Sequence, residues 1–191
     1  MEAAGGIIAF LLILAAQISY IKDVFFKQVT PSLLSWSGWF LLMGTSLFSQ
    51  IVLRGWEWSM TGLACSVAGC FAICVISLLK RNFRIIKSDY LFLAAGIICM
   101  IIYQSSNDSW LTTVFAIIAD LLLAIPVVVK AYRNPESEKS TSWWFGSISW
   151  LITLTIIDTG DTLLLLWPLY LLAFNLVLLI LTWFRKVEKS L

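Results

Sequence analysis

No histidine occurs among the 191 residues. That removes the side chain most used to move protons near neutrality and the commonest metal ligand. The apolar runs contain no pair of neighbouring acids either, so acid–base and metal chemistry lack their usual parts, and neither an enzyme nor a bound cofactor or metal is expected. Charge is scarce: 13% of residues are charged and the net charge is +2, so no nucleic-acid partner is expected. The four cysteines, Cys65, Cys70, Cys74 and Cys99, all lie within apolar runs and read as small packing residues rather than a disulfide framework. A basic segment before the first apolar run is missing and Glu2 stands there instead. That run continues into "SYIKDVFFK" with no small-residue cleavage site, so a removable signal peptide is not expected.

What the chain has in abundance is apolar length. Hydrophobic residues make up 60% of it, and seven stretches approach the roughly 20 helical residues that a bilayer core about 30 Å thick requires. They cover 5–22, 31–53, 58–80, 89–104, 109–132, 141–157 and 161–184. The "DTGD" at Asp158 to Asp161 separates the last two, because adjacent Asp, Thr and Gly favour a tight reversal and carboxylates are costly in lipid. The expectation is an all-α polytopic membrane protein in a lipid bilayer. With seven spans, twelve of the thirteen basic residues share one side and only Arg54 lies opposite. The positive-inside rule makes that side cytoplasmic, with the N-terminus outside and the C-terminus inside.

The sequence also repeats itself. "IIAFLL" at Ile7 returns as "IIADLL" at Ile117, and the same 110-residue offset aligns Ser32 with Ser142, Ser37 with Ser147 and Thr45 with Thr155 without a gap. The expected organisation is a first three-helix repeat over 1–80, a linker helix with its loops over 81–108, and a second three-helix repeat with a cytoplasmic tail over 109–191. One linking span puts both repeats into the membrane in the same orientation, a parallel 3+1+3 plan.

This plan, with Ala16-Gln17 in "AAQISYIKDVFFKQVTPSLLSW" and Pro126-Val127 in "AIPVVVKAYRNPESEKSTSWW", resembles the SWEET transporters and the wider PQ-loop superfamily. Each copy keeps one half of the Pro-Gln pair. The second repeat is also similar to a group of uncharacterised prokaryotic membrane proteins, which implies a prokaryotic cytoplasmic membrane but no substrate. The superfamily resemblance implies a solute site between the repeats and alternating access about their first helices. Gln17 and Pro126 are then hinge candidates. Pro126 cannot donate to the carbonyl of Leu122 and so loosens its helix, as a hinge or as a static kink.

Several polar and aromatic residues fall at membrane depth. Trp36, Trp39, Met43, Ser46 and Gln50 form a stripe at helical spacing on the second stretch, and their offset partners Gly146, Ser149, Thr153, Ile156 and Gly160 are mostly small. Trp39 and Trp150 are pocket candidates, and Trp36 is either that or an anchor. Trp56, Trp58, Trp110, Trp143, Trp144 and Trp183 stand near helix ends and are expected to be interfacial anchors. The seventh stretch adds Tyr170 and Asn175. The resemblance implies a substrate-facing role for Asn175, and an interhelical hydrogen bond is the alternative. Asp120 lies ten residues from both Trp110 and Lys130, about 15 Å from either end and the costliest depth for a charge. Thr113, Ala116 and Ala124 share its face. It is expected to exchange a proton, to bind a cationic part of a substrate, or to be a structural acid bonded to a neighbouring helix. Since Phe10 stands at the matching place in the first copy, the carboxyl is a specialisation of the second.

The expected function is a transporter moving a small polar solute, a sugar, amino acid or similar metabolite, with Asp120 as the candidate for a link to protons. The substrate-binding residues would be Asp120, Asn175, Trp39, Trp150, Trp36 and Tyr170. The alternative is a receptor or sorting protein of the same fold, using Asp108, Asp158 and Asp161 at the outer face. A homo-oligomer is compatible with either.

Overall fold

The structure, a computed structural model, describes residues 2–56, 61–157 and 162–184. Seven α-helices account for most of them: α1 (Glu2–Phe25), α2 (Leu33–Arg54), α3 (Thr61–Lys80), α4 (Lys87–Ser105), α5 (Ser109–Arg133), α6 (Ser142–Ile156) and α7 (Thr162–Leu179). The last passes into a π-helical turn at Ile180–Phe184, and a 3-10 turn at Pro135–Glu138 follows α5. The helices fall on the seven apolar stretches with ends displaced by a few residues. The expected reversal at Asp158–Asp161 lies outside the described residues.

Five helical segments are long and apolar enough to cross a membrane: Ala4–Phe25, Gly62–Lys80, Lys87–Ser105, Ser109–Arg133 and Leu165–Phe184. The remaining two helices depart from that pattern for different reasons. α2 has the length but is interrupted by Ser35, Ser37, Thr45, Ser46, Ser49 and Gln50. α6 has 15 residues, about 22 Å of helix, against a hydrocarbon core of about 30 Å.

Specific capping geometry stops the helices. Among the described residues, Lys27 and Arg81 are the two other than glycine with left-handed backbone, at φ 58° and 49°. Each closes a helix in the same way. Lys27 N donates to Val24 O and Gln28 N to Asp23 O, while Arg81 N donates to Leu78 O and Asn82 N to Ser77 O. These are the paired bonds of a Schellman ending, which satisfy carbonyls that α1 and α3 would otherwise leave open. α5 stops at Asn134 because Pro135 has no N–H and disfavours helical backbone in the residue before it.

The three connections that follow α1, α3 and α5 meet at one end of the bundle. Thr30 N donates to Ser137 O at 2.9 Å, Leu33 N to Arg84 O at 3.2 Å and Arg84 N to Pro31 O at 2.8 Å. Asn82 Nδ2 donates to the carbonyls of both Val24 and Val29. Lys22, Lys27, Lys80, Arg81, Arg84, Lys87, Lys130, Arg133 and Lys139 gather here, which makes this the basic end of the bundle. The connection after α4, around Ser106–Asp108, lies at the other end, where Asp108 Oδ1 caps α5 by accepting from Leu111 N at 2.9 Å.

Between the ends, α3 packs on both α1 and α2, and α7 packs on both α5 and α6. α1 lies against α6, α2 against α5, and α4 against α5 and α2. Val24, Val29, Ile73, Leu123, Val127 and Leu178 fill the core. Leu11, Phe48, Phe71, Leu79, Leu91 and Leu151 point outward with more than half their surface exposed, an apolar exterior suited to lipid rather than water. The four cysteines carry free thiols.

Candidate functional site

Where α1, α2, α3, α5, α6 and α7 converge, they leave a cavity of about 130 Å³. One wall is a closed circuit of five aromatic rings. Tyr20 stacks at a tilt on Trp36 (centroids 4.6 Å apart), Trp36 meets Trp39 edge-on (5.0 Å), and Trp39 meets Phe174 (5.9 Å). Phe174 then meets Trp143 (6.0 Å), which returns to Tyr20 (5.7 Å). Edge-to-face contact at these separations places the positive edge of one ring against the negative face of the next. All five rings line the cavity. Four helices contribute them, so the circuit exists only when the bundle is assembled.

Asp120 lines the same cavity with only 2% of its surface exposed. Its Oδ2 accepts a hydrogen bond from the Tyr170 hydroxyl at 2.6 Å. Trp39 Nε1 also faces this carboxyl but makes no hydrogen bond. The turns of α5 on either side fit this burial. Ala124 is fully buried on the core side, while Ala116 and Thr113 line a second recess on the other. Phe10, at the matching place in the first copy, does not line the cavity and lies near Gly62 of α3.

Asn175 is 8% exposed, and its Nδ2 donates to Leu171 O one turn back at 2.8 Å. Its Oδ1 rests on Gly146, where a Cβ would overlap that oxygen and come within 3.0 Å of Cγ. Glycine at 146 therefore lets the amide reach the cavity. Gly146→Ala gains up to about 1 kcal/mol of helix propensity but forces Asn175 aside, and overpacking of this kind costs about 1–3 kcal/mol. The variant should unfold at a lower temperature than the parent in detergent, and adding Asn175→Ala should relieve the loss. A Gly146→Ala protein as stable as the parent would show that the amide moves freely.

Trp150 lines the cavity, half-buried, and Gln17 reaches it across Gly69, where a Cβ would overlap the Gln17 side chain. Gln17 Oε1 has no hydrogen-bond partner. Pro126 is buried inside α5, does not line the cavity, and the helix runs through it unbroken. The stripe on α2 divides between two spaces: Trp36 and Trp39 face the cavity, Ser46 and Gln50 face the second recess, and Met43 borders both. Its partner face on α6 is not a cavity wall throughout, because Ser149 Oγ turns to donate to Ala9 O on α1.

Below the aromatic circuit, the basic end is closed by a buried polar knot. Tyr20 OH donates to Glu138 Oε2 at 2.7 Å, and Trp143 Nε1 donates to Glu138 O at 2.8 Å. Lys130 Nζ forms an ion pair with Glu138 Oε1 and donates to Thr30 O. Ser140 Oγ donates to Asp23 Oδ2 at 2.6 Å. Tyr20, Lys130, Glu138, Val29 and Ser140 are each no more than 2% exposed. Burial pushes the Glu138 carboxyl upward, and the Lys130 ammonium and Tyr20 hydroxyl pull it partly back.

At the opposite end, α2, α4, α5 and α7 border a recess of about 630 Å³. Its described lining is uncharged and includes Ser46, Ser49, Gln50, Gln104, Thr112 and Thr113. Ser46 Oγ and the Tyr103 hydroxyl share a bond at 2.6 Å, Gln104 Nε2 donates to Tyr103 OH at 2.9 Å, and Ser49 Oγ donates to Gln104 Oε1 at 3.0 Å.

Of the residues expected at a site, Asp120, Asn175, Trp39, Trp150, Trp36 and Gln17 line one cavity, and Tyr170 is bonded to Asp120. Trp143 corrects an expectation. It is not an interfacial anchor but 6% exposed and part of the aromatic circuit, because its indole N–H is drawn inward to the Glu138 carbonyl. Trp56, Trp110, Trp144 and Trp183 are substantially exposed, and Trp58 lies outside the described residues. Lys130 is likewise buried, at 2% exposed. Sequence reasoning assigns no role to Glu138, although the Asn134-Pro135 stop that turns the chain back towards Lys130 is a signal that points to it. No family model, curated protein or solved structure matches this chain.

Proposed function

We propose that the protein is a membrane transporter that moves a small polar solute through the central cavity by alternating access, with Asp120 as the group that exchanges a proton or meets a cationic part of the solute. The observation that carries this reading is an aromatic-walled, mostly apolar cavity at mid-bundle into which Asp120, Asn175 and Gln17 bring polar groups. It is sealed at the basic end by buried side chains, and it shares Met43 with a polar recess towards the other end. A solute arriving through that recess would meet Asp120, Asn175 and Trp39. It would leave after the knot around Glu138 opens.

A parallel 3+1+3 repeat underlies the proposal, in the manner of SWEET and PQ-loop proteins. Helix packing between the two triples supports it: exchanging α1, α2 and α3 for α5, α6 and α7 turns α1 on α6 into α5 on α2, α2 on α3 into α6 on α7, and α1 on α3 into α5 on α7, all of which are present. α4 stands outside the exchange and packs on α5 and α2. The connections after α1 and α5 also meet at the same end. Tyr20 and Lys130 stand 110 residues apart, and each reaches into the connection of the other triple, Tyr20 to Glu138 and Lys130 to Thr30. Seven spans with the basic end cytoplasmic complete the reading. Cysteines placed at Ser106 and Ser137, in a background without the native four, should react with impermeant reagent from opposite faces, Ser106 from outside. Reaction of both from one face would rule out the topology. The function itself is tested by counterflow in reconstituted vesicles against a panel of sugars, amino acids, amines and nucleosides. Absence of movement for every solute, by protein shown to be folded, would overturn the transporter reading.

A further inference from the structure

We propose that the central cavity selects a small organic ammonium that also carries a neutral oxygen, an amino alcohol or its N-methylated form. This rests on the transporter reading and adds the chemical class of the solute. Charge comes first. Among the described residues, Asp120 is the one carboxyl lining the cavity, and no Lys or Arg lines it. The basic side chain buried below the aromatic circuit, Lys130, is held by Glu138 and Thr30 O. An ammonium beside Asp120 is attracted strongly, because so little water reaches the carboxyl to screen it. A carboxylate-bearing solute would meet Asp120 without a basic partner.

The walls favour the same solute. The circuit of Tyr20, Trp36, Trp39, Phe174 and Trp143 gives the space an aromatic wall, and an alkylammonium is attracted to ring faces while its carbon atoms bury against them. Unused polar atoms add the requirement for an oxygen. Trp36 Nε1, Trp39 Nε1 and Ser142 Oγ are buried without a hydrogen-bond partner, on residues 5–6% exposed, and Gln17 Oε1 is an unpartnered acceptor. Each such group is costly when left unpaired in a dry interior. An ammonium alone satisfies no indole N–H. A hydroxyl oxygen accepts from one of them, and its own proton suits Gln17 Oε1. Volume favours a small solute: about 130 Å³ is close to the roughly 150 Å³ that admits benzene, so a solute of about four to seven non-hydrogen atoms fits within it.

The test is thermal unfolding of the purified full-length protein, and uptake into reconstituted vesicles, with five probes. These are 2-aminoethanol, N,N,N-trimethyl-2-aminoethanol, 1-propylamine, glycerol and glycine. The two amino alcohols should raise the unfolding temperature and enter vesicles. Propylamine should bind about tenfold more weakly, the loss of one hydrogen bond to a buried donor, and glycerol and glycine should do neither. Asp120→Asn should weaken the amino-alcohol response at least about tenfold. Trp39→Phe, which keeps a ring but removes the unpaired N–H, should shrink the difference between 2-aminoethanol and propylamine. Binding and uptake of glycerol or glycine in place of the amino alcohols would overturn the assignment of class and leave the transporter reading standing. The class also falls, with transport intact, if no probe binds while another solute crosses in counterflow. If nothing crosses at all, both fall.

Discussion

Lys130→Met should destabilise the protein by about 3–5 kcal/mol, or open its basic end at a similar cost, because it strands the Glu138 carboxylate in a dry interior. Glu138 is completely buried and Lys130 is 2% exposed, so neither group has water to replace its partner. Glu138→Gln should be milder, since the amide keeps the size of the side chain and can still accept from the Tyr20 hydroxyl. Tyr20→Phe removes that donor and should cost about 1.5–3 kcal/mol, the usual range for a hydrogen bond to a charged group. The double replacement Lys130→Met/Glu138→Gln should recover most of the loss, short of the bond to Thr30 O. Two measurements check this: thermal unfolding in detergent, and thiol labelling of a cysteine placed at Val29, fully buried in the closed state. Opening without unfolding would appear as fast labelling at an unchanged melting temperature. Single replacements that match the parent in both measurements would show that the knot holds nothing shut.

Asp120→Asn should remove the pH dependence of solute movement while leaving the protein folded. A carboxyl 2% exposed at mid-helix, with no cation among the described residues lining its cavity, is tolerated only if neutral, hydrated or matched by a bound cation, and each condition ties its state to protons or to solute. Asparagine keeps the size and accepts from the Tyr170 hydroxyl, but it cannot ionise. Initial rates in vesicles should therefore vary with pH in the parent and stay flat in the variant, with uptake driven by a proton gradient falling at least about tenfold, the consequence of losing roughly 1.4 kcal/mol or more of coupling. Tyr170→Phe removes the 2.6 Å bond to Oδ2 and should shift the pH profile without flattening it. Phe10→Leu, at the matching place in α1 but away from the cavity, should change little. An Asp120→Asn protein with the rate and pH dependence of the parent would make the carboxyl a structural group.

The sequence alone determined the secondary structure, because in lipid the backbone must satisfy its own hydrogen bonds and a long apolar run has one solution. The seven stretches found their helices, and the helix ends followed from chain-stopping features such as Pro135. Depth along a helix was also legible, since rise per residue converts position into distance. Asp120, Asn175 and Trp39 stand out on that basis and they do meet. Direction around the helix was less accessible, because it depends on what lies across the gap. Trp143 sits at the start of α6 and looks like an anchor by position, yet the Glu138 carbonyl and the rings of Tyr20 and Phe174 turn it inward. Lys130 falls in sequence among the basic residues after an apolar stretch and nonetheless ended buried, because the 3-10 turn at Pro135–Glu138 returns a carboxylate to it. No local pattern encodes the five-ring circuit. Its members come from α1, α2, α6 and α7, and the packing of α1 on α6, α6 on α7 and α2 on α3 and α5 brings them within ring-contact distance. Such contacts are decided by long-range packing, in which one helix supplies the space that another fills: Gly146 for Asn175 and Gly69 for Gln17.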